Sequence, residues 1–207
     1  MNSNDLKCIA DELRYWQWFT QTPRFFNNWV AEKPNPELCS FAKGYLKELS
    51  PKTILDVGSG PVSILHGLFQ NGTIIKTADP LSELYGLFFD YKKYKITPPE
   101  VLPGEEVDFE DVFDLCHICN ALDHCQDPEK VVQNLYRAVK PGGYVFVQGF
   151  INEADAQGFS GFHQWNLDIT DSGVITANGN HITGKGDVFL KMIRDNGREW
   201  FVWSVRK

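Results

Sequence analysis

Apolar positions recur at helical spacing near the start of the chain, where Leu6, Ile9, Leu13 and Trp16 share one face. Caps announce two more helices. Thr22-Pro23 sets an N-cap before a proline at the first helical position, and Asn35-Pro36 repeats the device. The third helix carries Leu38, Phe41, Ala42, Tyr45 and Leu49 on one side. The period then changes. Residues 53–57 form a short apolar strand running into Gly58-Ser59-Gly60. Beyond it the pattern predicts a helix over 61–70, a strand over 74–78 and a helix over 81–91. A polar, proline-rich stretch over 92–111 leaves room for one short strand. A strand over 112–119, a helix over 128–139 capped by Asp127, a turn at Gly142-Gly143 and a strand over 144–150 follow. Strands alternating with helices make a parallel sheet covered on both faces.

The tail is different. Residues 188–193 and 199–205 are apolar, β-rich runs around Asn196-Gly197, the strongest short hairpin signal. Turn residues and β-prone stretches over 163–186 predict an extra hairpin or ordered loop. The expected fold is α/β: a seven-stranded, mostly parallel, doubly wound sheet with a C-terminal antiparallel hairpin and an N-terminal helical cap. The cap spans 1–50 and the main domain 51–207.

Composition narrows the function. The chain has 207 residues, 43% hydrophobic and 23% charged, as in a soluble globular domain. Its net charge of −7 argues against a nucleic-acid partner, which would need a positive face. The polar, acidic N-terminus is not a secretory signal, and no apolar run approaches the roughly 20 residues of a membrane span. Five cysteines in such a chain suit a cytoplasmic protein without a disulfide framework. The oligomeric state stays open between monomer and homodimer.

The segment ILDVGSGPVSIL, residues 54–65, carries the first chemical signal. A buried strand ending in a glycine turn before a helix lets a ligand approach the backbone, and in a doubly wound sheet that crevice binds nucleotides. A dinucleotide fingerprint would need a third glycine where Ser63 stands, and Pro61 removes an N–H that a pyrophosphate would use. Asp56, two residues before Gly58, suits a cationic amino group better than a phosphate. Asp79 ends the second strand nineteen residues after Gly60, at the place of an acid that takes ribose hydroxyls. These features describe an adenosine with a positive, phosphate-free tail.

ILDVGSG, Asp79 and FDLCHICNALDHCQDPEKVVQNLYRAVKPGGYVFV at 113–147, with its KPGG turn, resemble the class I S-adenosylmethionine-dependent methyltransferases. The resemblance covers roughly residues 50–150 and the terminal hairpin. It implies S-adenosylmethionine as methyl donor and S-adenosylhomocysteine as product. Asp56, Gly58, Ser59 and Gly60 would hold the methionine moiety, and Asp79 the ribose. Pro80 and Leu81 would lie along the adenine, with Glu105 of PGEEVDF at its edge, although that segment departs from the family's usual Asp-Ala-Glu form. Asn120 and Ala121 would flank the methyl group.

Residues 116–125, CHICNALDHC, crowd three cysteines and two histidines together. As a strand, 112–119 points Cys116 and Cys119 to opposite faces, so they cannot share one ion. They read as small buried apolar residues, His117 as a hydrogen-bonded core histidine, and no metal is expected. NALDHC instead occupies the loop after that strand. There His124 is a base or merely caps the turn, and Asp123 orients it or receives a proton. In FHQWNLD, residues 162–168, His163 is a second candidate base. Together with Trp165 it lines an acceptor pocket or plugs the core. Tyr15, Trp16, Arg24 and Trp29 are acceptor-site candidates from the helical cap, or simply pack its face.

The leading expectation is in-line methyl transfer to a hydroxyl of a small metabolite or sugar-like acceptor, with a histidine as base. Oxygen is preferred because the Asn/Asp-Pro-Pro-aromatic motif of many amino-methylating relatives is replaced by Asn120-Ala121-Leu122-Asp123. N-methylation and a catalytically inactive binding protein remain as alternatives. A nicotinamide oxidoreductase fits less well, because of Asp56, Pro61 and the missing glycine.

Overall fold

The computed structural model describes the backbone of residues 3–69 and 72–207 and the side chains of 6–69 and 72–207. Met1 and Asn2 of the expected cap, and Gln70 at the end of the expected helix over 61–70, lie outside the described residues. The chain opens with α1 (Ser3–Phe19) and α2 (Pro23–Phe25), which continues as a π-helical turn (Phe26–Val30). As expected, Thr22 caps α2, its hydroxyl accepting the N–H of Phe25. Then come α3 (Ser40–Leu49), β1 (Thr53–Val57), β2 (Ile74–Ala78), α4 (Ser82–Tyr85) and α5 (Tyr91–Tyr94). β3 (Phe113–Cys119), α6 (Pro128–Ala138), β4 (Val139–Phe150) and α7 (Glu153–Ala156) complete the central part. Five strands close the chain: β5 (Leu167–Ile169), β6 (Val174–Ala177), β7 (Asn180–Lys185), β8 (Val188–Ile193) and β9 (Glu199–Arg206).

The main sheet runs β2-β1-β3-β4-β9-β8, the first four strands parallel and β9 antiparallel to both neighbours. It has six strands, not the seven expected. The strand sought in 92–111 survives as one parallel bridge from Glu100 to Ala78, because this proline-rich stretch touches the edge without a run of free N–H groups. The hairpin β8–β9 forms as expected. Residues 163–186 supply a separate antiparallel sheet, β5-β6-β7.

Side-chain alternation divides the core. Leu55, Cys116, Ile118, Val145 and Val147 face α6 and the small sheet, where Val131, Leu135, Ile169 and Ile175 meet them. Ile54, Leu115, Phe146 and Val202 face α3, against Leu38, Ala42 and Leu46. A third cluster joins the cap to α4 and α5 through Phe19, Phe25, Tyr85 and Phe89.

Local expectations fail where tertiary contacts intervene. Residues 61–69 form turns, not a helix. The Ser63 hydroxyl accepts the N–H of Leu65, an alternative to the helical ladder. Gly67 sits at φ +73°, so close to the backbone of Lys33 that a Cβ there would come within 2.4 Å of its nitrogen. The helix expected over 81–91 splits into α4 and α5. Asn35 does not cap a helix at Pro36. Its side chain closes a turn onto the N–H of Glu37, and Cys39 caps α3 instead. Gly142-Gly143 lies inside β4 as an irregularity, where the register jumps and Gly142 takes φ +84°. Among the described residues, no helix is long and apolar enough to cross a membrane.

Gly67 discriminates between turn and helix. Gly67→Ala is expected to destabilise the protein by more than about 1 kcal/mol, since alanine resists φ near +73° and its methyl meets Lys33. Were 61–69 helical, the same change would stabilise it by up to about 1 kcal/mol. The sign is read from urea unfolding of the two proteins.

Candidate functional site

The chain leaves β1 toward β2 on one side and returns to β3 on the other, so the sheet's topological switch lies between the carboxyl ends of β1 and β3. Two loops meet there. Gly58 and Gly60 both take φ +63°, and a Cβ on Gly58 would stand 2.4 Å from that of Ala121. The N–H groups of the turn are engaged. Those of Gly58 and Ser59 reach the carbonyl of Ala78 at 2.8 and 3.3 Å, and that of Gly60 reaches Asp79 Oδ2 at 2.9 Å. The expected helix N-terminus with free N–H groups is absent because 61–69 is not helical.

Asp56 is buried and holds the loop from within. Its Oδ2 accepts the Ser63 hydroxyl at 2.5 Å, and its Oδ1 meets His117 Nδ1 at 2.6 Å. β1 and β3 pair Asp56 directly with His117, which puts the two side chains on one face as neighbours. Gln148, on β4, donates its Nε2 to His117 Nε2 at 3.0 Å. With Nδ1–H given to the carboxylate, Nε2 is the acceptor. Asp56 thus supports the turn through Ser63 and His117. His117 is the core histidine anticipated. Ser63 and Gln148 were missed; strand register after Asp56 and His117 was the signal that could have found Gln148.

Asp79 sits beside the loop. Besides Gly60, it accepts the N–H of Leu81 and the hydroxyl of Tyr85 through Oδ1, at 2.9 and 3.0 Å. Burial pushes its pKa up to about 6, against the lowering effect of these three donors. A carboxylate offers about four lone-pair directions, so three donors leave room for a further hydroxyl. Tyr85, also missed by sequence reasoning, has its own pKa raised by burial and by Asp79.

Pro80 is exposed and Leu81 buried beside Asp79. Asn120 takes φ +50° just past β3, its Oδ1 accepting the N–H of Phe150 at 3.3 Å. Ala121 packs on Gly58. Glu105 accepts the N–H groups of Gln126 and Asp127 at 2.7 and 3.3 Å, just ahead of α6, where backbone dipoles favour a carboxylate. Its Oε1 is therefore turned to the start of α6.

Two segments forty residues apart converge below this loop. Asp123 and His124 lie in a 3₁₀ turn (Leu122–His124), while His163 lies ahead of β5. His163 Nδ1 stands 2.7 Å from Asp123 Oδ2 and 3.1 Å from His124 Nε2. Burial works against the charged form of His163, but the hydrogen bond and charge of Asp123 prevail and raise its pKa. Gln164 N–H donates to the carbonyl of Asp123, and Trp165 Nε1–H to that of Cys125 at 2.8 Å, lacing the two segments together. Trp165 is thus a strut between the two segments.

Of the four cap candidates, Trp16 is the one seen against the glycine turn. Its indole lies where a Cβ on Gly60 would come within 2.5 Å, and its Nε1–H donates to Glu12 at 2.8 Å. Cys8 Sγ reaches the carbonyl of Gly161, joining α1 to the segment before His163. Tyr15 is half exposed and stacks on Phe19, Arg24 pairs with Glu37 at 2.7 Å on the surface, and Trp29 packs between Phe19 and Phe25. The contacts of these last three are with other cap residues and Glu37. Cys116 and Cys119 fall in opposite cores, as strand parity required, and burial pushes both thiols up.

A family model described as a methyltransferase domain matches residues 55–147. The chain is 32% identical to a ubiquinone biosynthesis O-methyltransferase of Pseudomonas paraeruginosa over 131 residues, which are 58% of this chain and 48% of that protein. It is 27% identical to the enzyme of the same name from Histophilus somni, over 54% of this chain and 50% of that one. The matched stretch thus spans about half the length of these curated relatives. In fold it is similar to a 1,6-didemethyltoxoflavin-N1-methyltransferase of Burkholderia thailandensis, with TM-score 0.59, 15% identity, and 96% and 86% of the two chains covered. It is likewise similar to the N-methyltransferase NodS of Bradyrhizobium japonicum, with TM-score 0.56, 10% identity and 99% of both chains covered.

The titration of Asp79 gives a stability test. Below the ordinary carboxylate value of 3.8 both folded and unfolded states hold the proton, so the group contributes no difference. As pH rises from there through about 6, the unfolded state gives up its proton first and the folded state loses stability, levelling at roughly 3 kcal/mol. Asp79→Asn removes this titration. The unfolding free energy of the variant minus that of the parent is expected to grow by about that amount between pH 4 and 7.5, measured in urea.

Proposed function

We propose that this chain, which matches a methyltransferase-domain model over residues 55–147 and shares the fold of S-adenosylmethionine-dependent methyltransferases, transfers a methyl group from S-adenosylmethionine to a hydroxyl of a small-molecule acceptor. The observation that carries the choice of oxygen is the Asp123–His163 pair, one 3₁₀ turn from the alanine that packs on the glycine loop. A hydroxyl must lose its proton as it attacks, and an imidazole oriented by a carboxylate is built to take it. The relatives named as O-methyltransferases agree with this reading, although only half of their length is matched.

The donor supplies a methyl on a positively charged sulfur, already activated for displacement. The residues of this chain do the rest. Asp79, with an acceptor position to spare, would bind a ribose hydroxyl, and the Gly58–Gly60 turn leaves the backbone open to close approach. Asp56, locked to Ser63 and His117, keeps that turn in place. Trp16 over Gly60 and the Cys8–Gly161 contact close the crevice from above and keep water out of it. The acceptor oxygen gives an electron pair to the methyl carbon, the sulfur keeps the pair of the broken bond, and His163 takes the hydroxyl proton while Asp123 stabilises the resulting imidazolium.

Transfer of a labelled methyl group to pools of hydroxylated and amino acceptors tests the reading, with the product linkage identified by mass spectrometry. Label on oxygen supports it. Label on nitrogen would replace it with the N-methylating alternative. Firm S-adenosylhomocysteine binding with no transfer to any pool would leave a binding protein. His163→Ala is expected to lower kcat by about 100-fold or more while leaving S-adenosylhomocysteine affinity nearly unchanged. In the parent, kcat should rise with pH through a midpoint above the ordinary histidine value of 6.5, as His163 sheds its proton.

Asp79 predicts the opposite end of the profile. Ribose hydroxyls donate best to the ionised carboxylate, so affinity for S-adenosylhomocysteine should fall as pH drops through about 6. Calorimetric titration from pH 5 to 8 measures this dependence, which Asp79→Asn should abolish together with much of the affinity.

A further inference from the structure

Cys8, Glu12 and Trp16 follow one another at intervals of four residues on α1, so they share one face of the helix. Both ends of that row are fixed. Cys8 Sγ reaches the carbonyl of Gly161 at 2.8 Å, two residues before His163, and the Trp16 indole rests on Gly60. Glu12 lies between them, about 6 Å along the helix axis from each. Its side chain therefore overlooks the gap between the glycine turn and the segment that carries His163. Oε1 accepts the Trp16 indole N–H at 2.8 Å, which holds the carboxylate on this side of the helix.

The carboxylate is half-buried, and among the described residues it has no cationic partner. Its neighbours around the gap are already engaged, Asp56 by Ser63 and His117, and Asp123 by His163. The field of Glu12 reaches both walls. Burial leads both shifts, raising the pKa of Asp79 and opposing the charged form of His163, and the charge of Glu12 adds an upward push at each. A carboxylate drawn partly out of water without a cation is destabilising unless a ligand brings the opposite charge.

We propose that Glu12 faces the sulfonium of bound S-adenosylmethionine and sets the site's preference for the charged donor over the product with its neutral sulfur. The placement of the sulfur rests on the O-methylation reading above: transfer to a hydroxyl beside His163 puts it between that histidine and the glycine turn, opposite Glu12. Donor and product carry the same adenine, ribose, amino and carboxylate groups and differ in charge at the sulfur. When the acceptor oxygen bonds to the methyl carbon, the pair of the broken bond stays on sulfur and its positive charge disappears. The attraction to Glu12, strong in a crevice shielded from water, disappears with it. The residue that draws in the donor thus stops holding the product.

Calorimetric titration of the full chain with S-adenosylmethionine and, separately, with S-adenosylhomocysteine tests the assignment without an acceptor. Glu12→Gln keeps an oxygen for the Trp16 indole and removes the charge. With its fold checked by circular dichroism, it is expected to bind S-adenosylmethionine about tenfold more weakly and to change S-adenosylhomocysteine affinity by less than about twofold. Glu12→Asp, which keeps the charge, should retain most of the parent's preference. Equal losses for the two ligands in Glu12→Gln, or no loss for either, would overturn the assignment. So would the same loss of preference in both variants, since side-chain length would then be the cause. A parent that binds neither ligand would instead remove the methyltransferase reading itself.

Discussion

The buried carboxylate of Asp56 is the constraint on which the site depends. It lies at the end of a central strand and is divided between the Ser63 hydroxyl and the His117 ring, with Gln148 behind. Removing one partner would leave a buried acceptor unmet at a cost of about 1–3 kcal/mol, so the network resists piecemeal change. Its effect is positional. Three neighbouring strands, β1, β3 and β4, are clamped at the level where β1 releases the chain into the glycine turn. That turn cannot drift away from the loop after β3, which touches Gly58 through Ala121.

Asp79 completes the arrangement from the other side. Asp56 ties the turn to the sheet interior, while Asp79 ties it to β2 and α4, accepting from Gly60, Leu81 and Tyr85. The two carboxylates, both read from sequence as ligand contacts, divide the labour. Asp56 fastens the turn, whereas Asp79, though buried, keeps acceptor capacity beyond its three donors. The raised pKa of Asp79 is the cost of that position, since an ion is kept where water is scarce.

The Asp123–His163 cluster is an outcome of loop lacing. Asp123 and His124 follow β3, and His163 follows α7, so no local pattern connects them. The small β5-β6-β7 sheet packs on the same core as α6 and draws the 162–166 segment over the loop after β3. Backbone and indole hydrogen bonds then set the register. The N-terminal helix, held by Cys8 to Gly161 and resting Trp16 on Gly60, bridges both centres.

Several features were legible from residue order because they obey short-range rules. The period of two in 113–119 places Cys116 and Cys119 on opposite faces. Asn196-Gly197 announced its hairpin, and Asp127 its helix, through turn and cap chemistry that involves only a few neighbouring residues. The glycine turn and Asp79 marked the crevice for the same reason. Decisions made by distant contacts were not legible. Residues 61–69 had the composition of a helix, but the close approach of Lys33 to Gly67 and the bond from Ser63 to Asp56 replaced it with turns. The hold that the N–H groups of Gln126 and Asp127 take on Glu105 is likewise a contact between distant segments. The pairing of Asp123 with His163 joins segments separated by forty residues, and that proximity is set by how two sheets pack, a property of the folded chain as a whole.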